Sequence, residues 1–254
     1  MTAPFLPLPP QPWGLLTPGT VHLWQLPIPT TAGWLPQWQG WLAAAERDRA
    51  DRFHRDRDRH TFILARGGLR WLLGQYLGVA PEAIAFSYGD HGKPQLAAPP
   101  SLDPALTFNL AHSGDWVVYA LTRGAAIGVD VEAIAPRRYG EGLIQRCLTP
   151  QEQHTLSPDL ATRQRQFFDY WTAKEAYLKA TGQGLSYPMT AVEVVWTTVH
   201  HGRLVAPSAA QPWTLRSWQP APAMVAAVCV AMPTTVPALP PPILALGNFP
   251  LSLL

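Results

Sequence analysis

Cysteine is nearly absent: Cys147 and Cys229 are the only two in 254 residues, and no motif spacing relates them. That argues against a disulfide framework and against a thiolate zinc site, and it fits a reducing compartment. Charge is scarce too. Charged residues make up 14% and the formal net charge is +2, so bulk charge makes no case for a nucleic-acid partner. Long apolar runs are missing: the longest, Ala223 to Met232, is about half the ~20 residues that a membrane-spanning helix needs. The opening MTAPFLPLPPQPWGLL has no basic stretch and is interrupted by prolines, unlike a secretory signal. A soluble cytoplasmic protein is the expectation from these absences.

What is present is globular in character. The hydrophobic fraction is 47%, and the length suffices for one large or two small domains, each with a core. Prolines gather in residues 4–36 and in MPTTVPALPPPILALG near the other end, where extended chain is expected. Basic residues are clustered: Arg47, Arg49, Arg52, Arg55, Arg57, Arg59, Arg66 and Arg70 fall within 24 residues. They make a local anion-attracting surface, or for most of them a solvated helix face. No aromatic-interleaved basic motif accompanies them, which speaks against an RNA binder.

Periodicity predicts a helical stretch from about Trp38 to Tyr76, closed by Gly78 and Pro81. Strands are expected at VHLWQLPI (21–28), IAFSY (84–88), LTFNL (106–110), WVVYALT (116–122) and AIGVDVEA (126–133), with GDHGKP and HSGD as turns. Thr149-Pro150-Gln151-Glu152 has the form of a helix cap, and Ser157-Pro158-Asp159 repeats the cap-then-proline pattern. The second of these helices should end at Gly182. AVEVVWT, TLRSW and AMVAAVCVAM complete a second set of strands. The order predicts an α+β fold of two units, residues 1–125 and 126–254.

Three segments carry chemistry. In GVDVE, residues two apart share a strand face, so Val129 and Val131 point to a core while Asp130 and Glu132 project together from the other side. Two neighbouring carboxylates repel unless a cation joins them, and hard oxygen ligands suit Mg²⁺; two solvated acids on a half-exposed strand are the plainer alternative. In FNLAHSG, His112 stands at a strand end, and Lys93 upstream lies in a glycine-flanked turn. Both can reach a phosphate, and each alone also fits an ordinary turn residue. In WTAKEAYLKATGQGL, Glu175 and Lys179 form an i,i+4 pair among apolar neighbours, where a carboxylate needs a metal or an ammonium partner. If this helix lies along GVDVE, Glu175 becomes a third oxygen ligand and Lys179 faces the same phosphates. Lys174 points elsewhere, to a structural or partner contact.

HGKPQL, FNLAHSG, GVDVE and WTAKEAYLKATGQGL, in this order, resemble the phosphopantetheinyl transferase superfamily, in its long, monomeric Sfp-type class. The resemblance implies transfer of 4′-phosphopantetheine from coenzyme A to a serine of an apo acyl or peptidyl carrier protein, with release of 3′,5′-ADP and dependence on Mg²⁺. It also implies a pseudo-dimer of two similar α+β halves with the site in the cleft between them. A catalytically silent relative that binds coenzyme A or a carrier protein is the other expectation. Carried over residue by residue, Asp130 and Glu175 match magnesium ligands, Glu132 matches the second acid, and Lys179 matches the lysine near the pyrophosphate. His112 and Lys93 match contacts to coenzyme A phosphates, and Arg49 matches a contact to the 3′-phosphate. Glu175 is also a candidate general base, a role that competes with metal ligation. One departure stands out: Ala111 occupies the place where the family often has serine.

Overall fold

A computed structural model describes residues 6–7, 16–89, 92–97, 105–135, 139–184, 186–205, 213–231 and 243–248. Two five-stranded sheets lie face to face between two long helices. The first sheet has the order β1-β12-β2-β6-β5, from β1 (Leu6–Pro7), β12 (Ile243–Asn248), β2 (Thr20–Pro27), β6 (Trp116–Arg123) and β5 (Leu106–Ser113). The second has the order β7-β11-β10-β9-β8, from β7 (Ile127–Ala133), β11 (Met224–Ala231), β10 (Trp213–Trp218), β9 (His201–Val205) and β8 (Glu193–Trp196). A small hairpin of β3 (Phe86–Tyr88) and β4 (Pro94–Leu96) stands apart. β12, which belongs to the expected second unit, pairs parallel with β2 in the first sheet. No helix among the described residues is long and apolar enough to cross a membrane.

The period of two along each strand builds three cores. On β2, Trp24 and Leu26 join Tyr119 and Leu121 of β6 under the long helix α3 (Asp56–Leu77). The opposite faces, Val21, Leu23, Val118 and Ala120, meet Val129, Val131, Ala226 and Val228 between the sheets. Val129 and Val131 thus turn inward as the alternation predicts. Val225, Ala227 and Cys229 face the second long helix, α6 (Leu160–Thr181). Covered on both sides, β11 is buried along its whole length, which explains its unbroken apolar sequence.

The stretch read as one helical segment is three helices: α1 (Leu35–Trp41), α2 (Ala44–Asp51) and α3. Ala43 leaves the helical region at ψ 158, and its N–H is taken by the Glu46 carboxylate at 2.9 Å, so the chain restarts there. A further short helix, α4 (Glu141–Cys147), precedes α5 (Pro150–His154), whose cap is the expected one: Thr149 Oγ1 accepts from Glu152 N, and Glu152 Oε2 accepts from Thr149 N. The cap of α6 differs from expectation. Asp159, not Ser157, accepts the Thr162 N–H, and Pro158 lies outside the helix. β5 runs on through His112 to Ser113, so the turn is shorter than HSGD. Both long helices end as predicted, on left-handed glycines, Gly78 at φ 67 and Gly182 at φ 75.

The halves repeat one device. Arg70 lies fourteen residues after the start of α3, and Lys174 fourteen after the start of α6. Arg70 is buried on the capping carboxylate Glu46 (2.7 Å) and on the carbonyls of Pro81 and Ile84. Lys174 is buried on the capping carboxylate Glu152 (2.6 Å) and on the carbonyls of Cys147 and Met189. Each cation locks a preceding short helix and a following turn onto its long helix. Lys174 therefore has the structural role open to it from the sequence. Arg66 and Arg70 correct the reading of the arginine cluster as surface: both are buried, Arg66 against the rings of Phe62, Phe86 and Tyr88.

Candidate active site

The site lies where α6 passes along β7. Contact this close requires Gly128: a Cβ there would stand 2.0 Å from the Ala176 carbonyl oxygen and 2.4 Å from the Ala180 nitrogen. With the backbones in contact, Asp130, two residues on from Gly128, faces the helix, and Glu175 and Lys179 face the strand.

Asp130 is buried, and its Oδ1 accepts from Lys179 Nζ at 2.7 Å. Its Oδ2 is buried with no hydrogen-bond partner, and Glu175 Oε1 is in the same condition. Burial pushes the Asp130 carboxyl up to about 6 against the opposing pull of Lys179. Burial, and then the Asp130 charge, push Glu175 up to about 7, again against Lys179. Glu132 adds to the repulsion on both acids, and its Oε2 accepts from Ser113 Oγ at 2.9 Å. The i,i+4 partner read from the sequence is replaced: Lys179 bonds across to the strand rather than back along its own helix to Glu175.

Among the described residues, the matching places of the first half carry no acids. Trp71, fifteen residues into α3 as Glu175 is into α6, takes the matching helical place. Tyr119 stands four residues before the end of β6 and pairs with Trp24, just as Ala227 stands four before the end of β11 and pairs with Asp130. Two tryptophans thus fill the positions that carboxylates hold in the second half.

The remaining expected residues surround this centre unequally. His112 is exposed, and crowding by protein followed by the Lys179 charge lowers its pKa, against a smaller opposing effect of Asp58. Lys93, matched in the sequence to a coenzyme A phosphate contact, is bonded to backbone carbonyls here. Its ammonium donates to the carbonyls of Lys179 (2.6 Å) and Ile127 (3.0 Å), and it leans on that of Ala180 (3.5 Å). It bolts the hairpin onto the end of α6, and burial lowers it to about 8. A pocket of about 210 Å³ lined by Lys93, Asn109, Lys179, Gly182 and Gly184 opens here. At Gly92 it adjoins a hollow of about 720 Å³ lined by Arg49, Arg52, Phe53 and Tyr88. Arg49 therefore lies along the same surface, its guanidinium over the Phe62 ring at 5.3 Å. On the other flank, Glu132 borders an aromatic hollow of about 410 Å³ with Tyr139, Phe167 and Trp171. A separate hollow of about 610 Å³ beside α5 and β8 contains none of these residues.

Among the described residues no three His, Cys, Asp or Glu side chains stand together as a ready metal cage. The Lys179 ammonium lies on Asp130, and Ser113 holds Glu132. The donor chemistry nevertheless fits a hard cation. Two buried carboxylate oxygens without partners, and two carboxyl groups pushed toward neutrality by dryness and by repulsion from neighbouring acids, are what a divalent ion would relieve.

Sequence reasoning missed Asn109 and Ser113. Asn109 Oδ1 accepts the Val129 N–H at 2.8 Å, and Ser113 Oγ accepts the Ala133 N–H at 3.1 Å. Their even spacing along β5 puts both on the face toward β7, a signal available in FNLAHSG. Ala111 lies between them on that face and is buried in the core between the sheets.

A family model described as "4'-phosphopantetheinyl transferase superfamily" matches residues 126–229, and one described as "4'-phosphopantetheinyl transferase, N-terminal" matches residues 26–123. The chain is 38% identical over 213 residues to the 4'-phosphopantetheinyl transferase HetI of Nostoc sp., covering 83% of this chain and 87% of that one. It is 26% identical over 198 residues to the 4'-phosphopantetheinyl transferase Sfp of Bacillus subtilis, covering 78% and 85%. Holo-[acyl-carrier-protein] synthase of Thermotoga maritima overlaps 42% of this chain and 63% of its own at a TM-score of 0.35 and 20% identity.

Proposed function

The chain belongs to the 4'-phosphopantetheinyl transferase superfamily, and from that premise we propose that it moves the 4′-phosphopantetheine group of coenzyme A onto a serine hydroxyl of an apo acyl or peptidyl carrier protein. The observation that carries this reading is the pair of buried, unpartnered oxygens, Asp130 Oδ2 and Glu175 Oε1, beside the Lys179 ammonium. Asp130 and Glu175, with Glu132 beside them, would hold Mg²⁺, which when bound neutralises charge on the pyrophosphate.

The chain's own groups account for the rest. In this reading Lys179 and His112 donate to the phosphate oxygens of the leaving 3′,5′-ADP as these gain charge. The serine oxygen bonds to the phosphorus that bears pantetheine, and the bridging P–O bond breaks toward ADP. The serine proton goes to a carboxylate, for which Glu175, pushed up to about 7, has a suitable affinity when it is not engaged as a ligand. Arg49, on the hollow continuous with this pocket, suits the 3′-phosphate. The aromatic hollow beside Glu132 suits the uncharged pantetheine arm. Lys93 serves this reading as a bolt beneath Lys179, because its donors are spent on carbonyls.

Residues 1–125 and 126–254 act in this reading as two halves of one cleft. Both walls come from a single chain, which supports a monomeric enzyme. The two unpaired, buried cysteines support a cytoplasmic setting. The test is to incubate the full chain with coenzyme A, Mg²⁺ and an apo carrier protein and to weigh the carrier by mass spectrometry. A gain of one phosphopantetheine group is expected, lost in Asp130→Ala and Glu175→Gln. Coenzyme A binding without transfer to several carriers would instead select the silent relative.

A further inference from the structure

β5 and β7 are the end strands of their sheets, and they meet along the seam between the halves. Exposed strand edges are ordinarily closed by a backbone ladder or by cover. Here side chains close them. Asn109 accepts the Val129 N–H, and four residues further on Ser113 accepts the Ala133 N–H, so the rungs match four residues apart on each strand.

Ser113 also does something Asn109 does not. Its oxygen accepts from Ala133, and its O–H donates to Glu132 Oε2 at 2.9 Å. An ionised carboxylate can only accept, so the hydroxyl is the donor and the Ala133 N–H fixes the direction in which it points. Serine contributes one rotatable bond to this arrangement, whereas Glu132 has several to lose. We propose that Ser113 is a positioning residue that sets the Glu132 carboxylate for the metal from the opposite half of the molecule. This rests on the reading of Glu132 as an acid of the magnesium site. It gives FNLAHSG a division of labour: His112 exposed on one face within the field of Lys179, and Asn109 and Ser113 on the other, holding the acidic strand in register.

Partners one shell out from a ligand change metal affinity by roughly 10- to 100-fold when removed. Mg²⁺ is titrated calorimetrically into the full chain saturated with coenzyme A, for wild type, S113A, S113T, E132Q and the S113A/E132Q double variant. S113A should weaken Mg²⁺ binding by about tenfold, while S113T, which keeps the hydroxyl, retains the wild-type affinity. In the E132Q background S113A should have no further effect, because the carboxylate through which it acts is gone. Coenzyme A affinity measured without metal should be the same in wild type and S113A, which separates positioning from general loosening of the fold. Wild-type affinity in S113A with weakened binding in E132Q overturns the positioning role and leaves the acid in place. Wild-type affinity in both overturns the acid as well. Additive losses in the double variant show that Ser113 acts other than through Glu132 and overturn the proposal.

Discussion

Replacing Glu175 by glutamine should make the metal-free protein more stable while it abolishes transfer. Glu175 is 8% exposed, and burial together with the Asp130 charge lifts its carboxyl from 4.5 to about 7. Each unit of that difference is worth about 1.4 kcal/mol, so ionising Glu175 costs the fold on the order of 3 kcal/mol once the pH is above both values. Below about 4.5 the group is neutral whether folded or unfolded, and the cost is absent. The penalty therefore grows from about pH 4.5 to about pH 7 and is constant above that. Glutamine removes the charge but leaves an amide in the same dry place, which costs about 1–2 kcal/mol if poorly bonded. The net expectation is a gain of about 1–2 kcal/mol at pH 8 and a loss of about 1–2 kcal/mol at pH 4, where only the amide's cost remains, read by urea unfolding at both pH values. Added Mg²⁺ should stabilise wild type by mass action and close the gap to the variant. At pH 8, equal stabilities or a variant less stable than wild type would refute the idea of a carboxylate buried at the fold's expense.

Lys174→Met should lower stability by about 3–5 kcal/mol, since it leaves Glu152 buried without its cation; a loss under 1 kcal/mol in chemical denaturation contradicts the locking role. Gly128→Ala should cost about 1–3 kcal/mol by overpacking and lose activity besides, because the new methyl group meets the α6 backbone and must push the acidic strand away. Ala111→Ser should change coenzyme A affinity by about 1 kcal/mol at most, one hydrogen bond's worth. A large gain in turnover would show that the family's serine matters more than its buried position here suggests. Lys93→Met should loosen the hairpin from α6, raising amide exchange at Lys179 and Ala180; unchanged exchange there would deny the bolt.

Local rules carried much of the fold. Short apolar runs placed β2, β6 and β11, alternation placed β7 and turned Val129 and Val131 inward, and the glycines after α3 and α6 marked both helix ends. These are short-range facts, set by sterics within a few residues. The failures have equally physical causes. The first break in the long helical run comes where Glu46 reaches back to the Ala43 N–H, and periodicity does not register a break that keeps the apolar spacing. Asp159 outcompeted Ser157 as a cap through geometry that two neighbouring candidates left open. Arg66 and Arg70 read as surface because arginine is seldom buried, and their burial depends on Glu46 and on the rings of Phe86 and Tyr88, far from one another in sequence.

The motifs likewise named the acids Asp130, Glu132 and Glu175 and the lysines around them, since a strand's two-residue period and a helix's four-residue neighbours are written in the chain. The partners those groups choose are not. Lys179 takes Asp130 instead of Glu175, Lys93 takes backbone carbonyls of β7 and α6, and Ser113 crosses from one half to hold an acid of the other. Each choice is a competition among donors and acceptors brought within 3 Å by packing two sheets between two helices. Residue type limits which bonds a side chain can make, and the folded arrangement of the two halves selects among them.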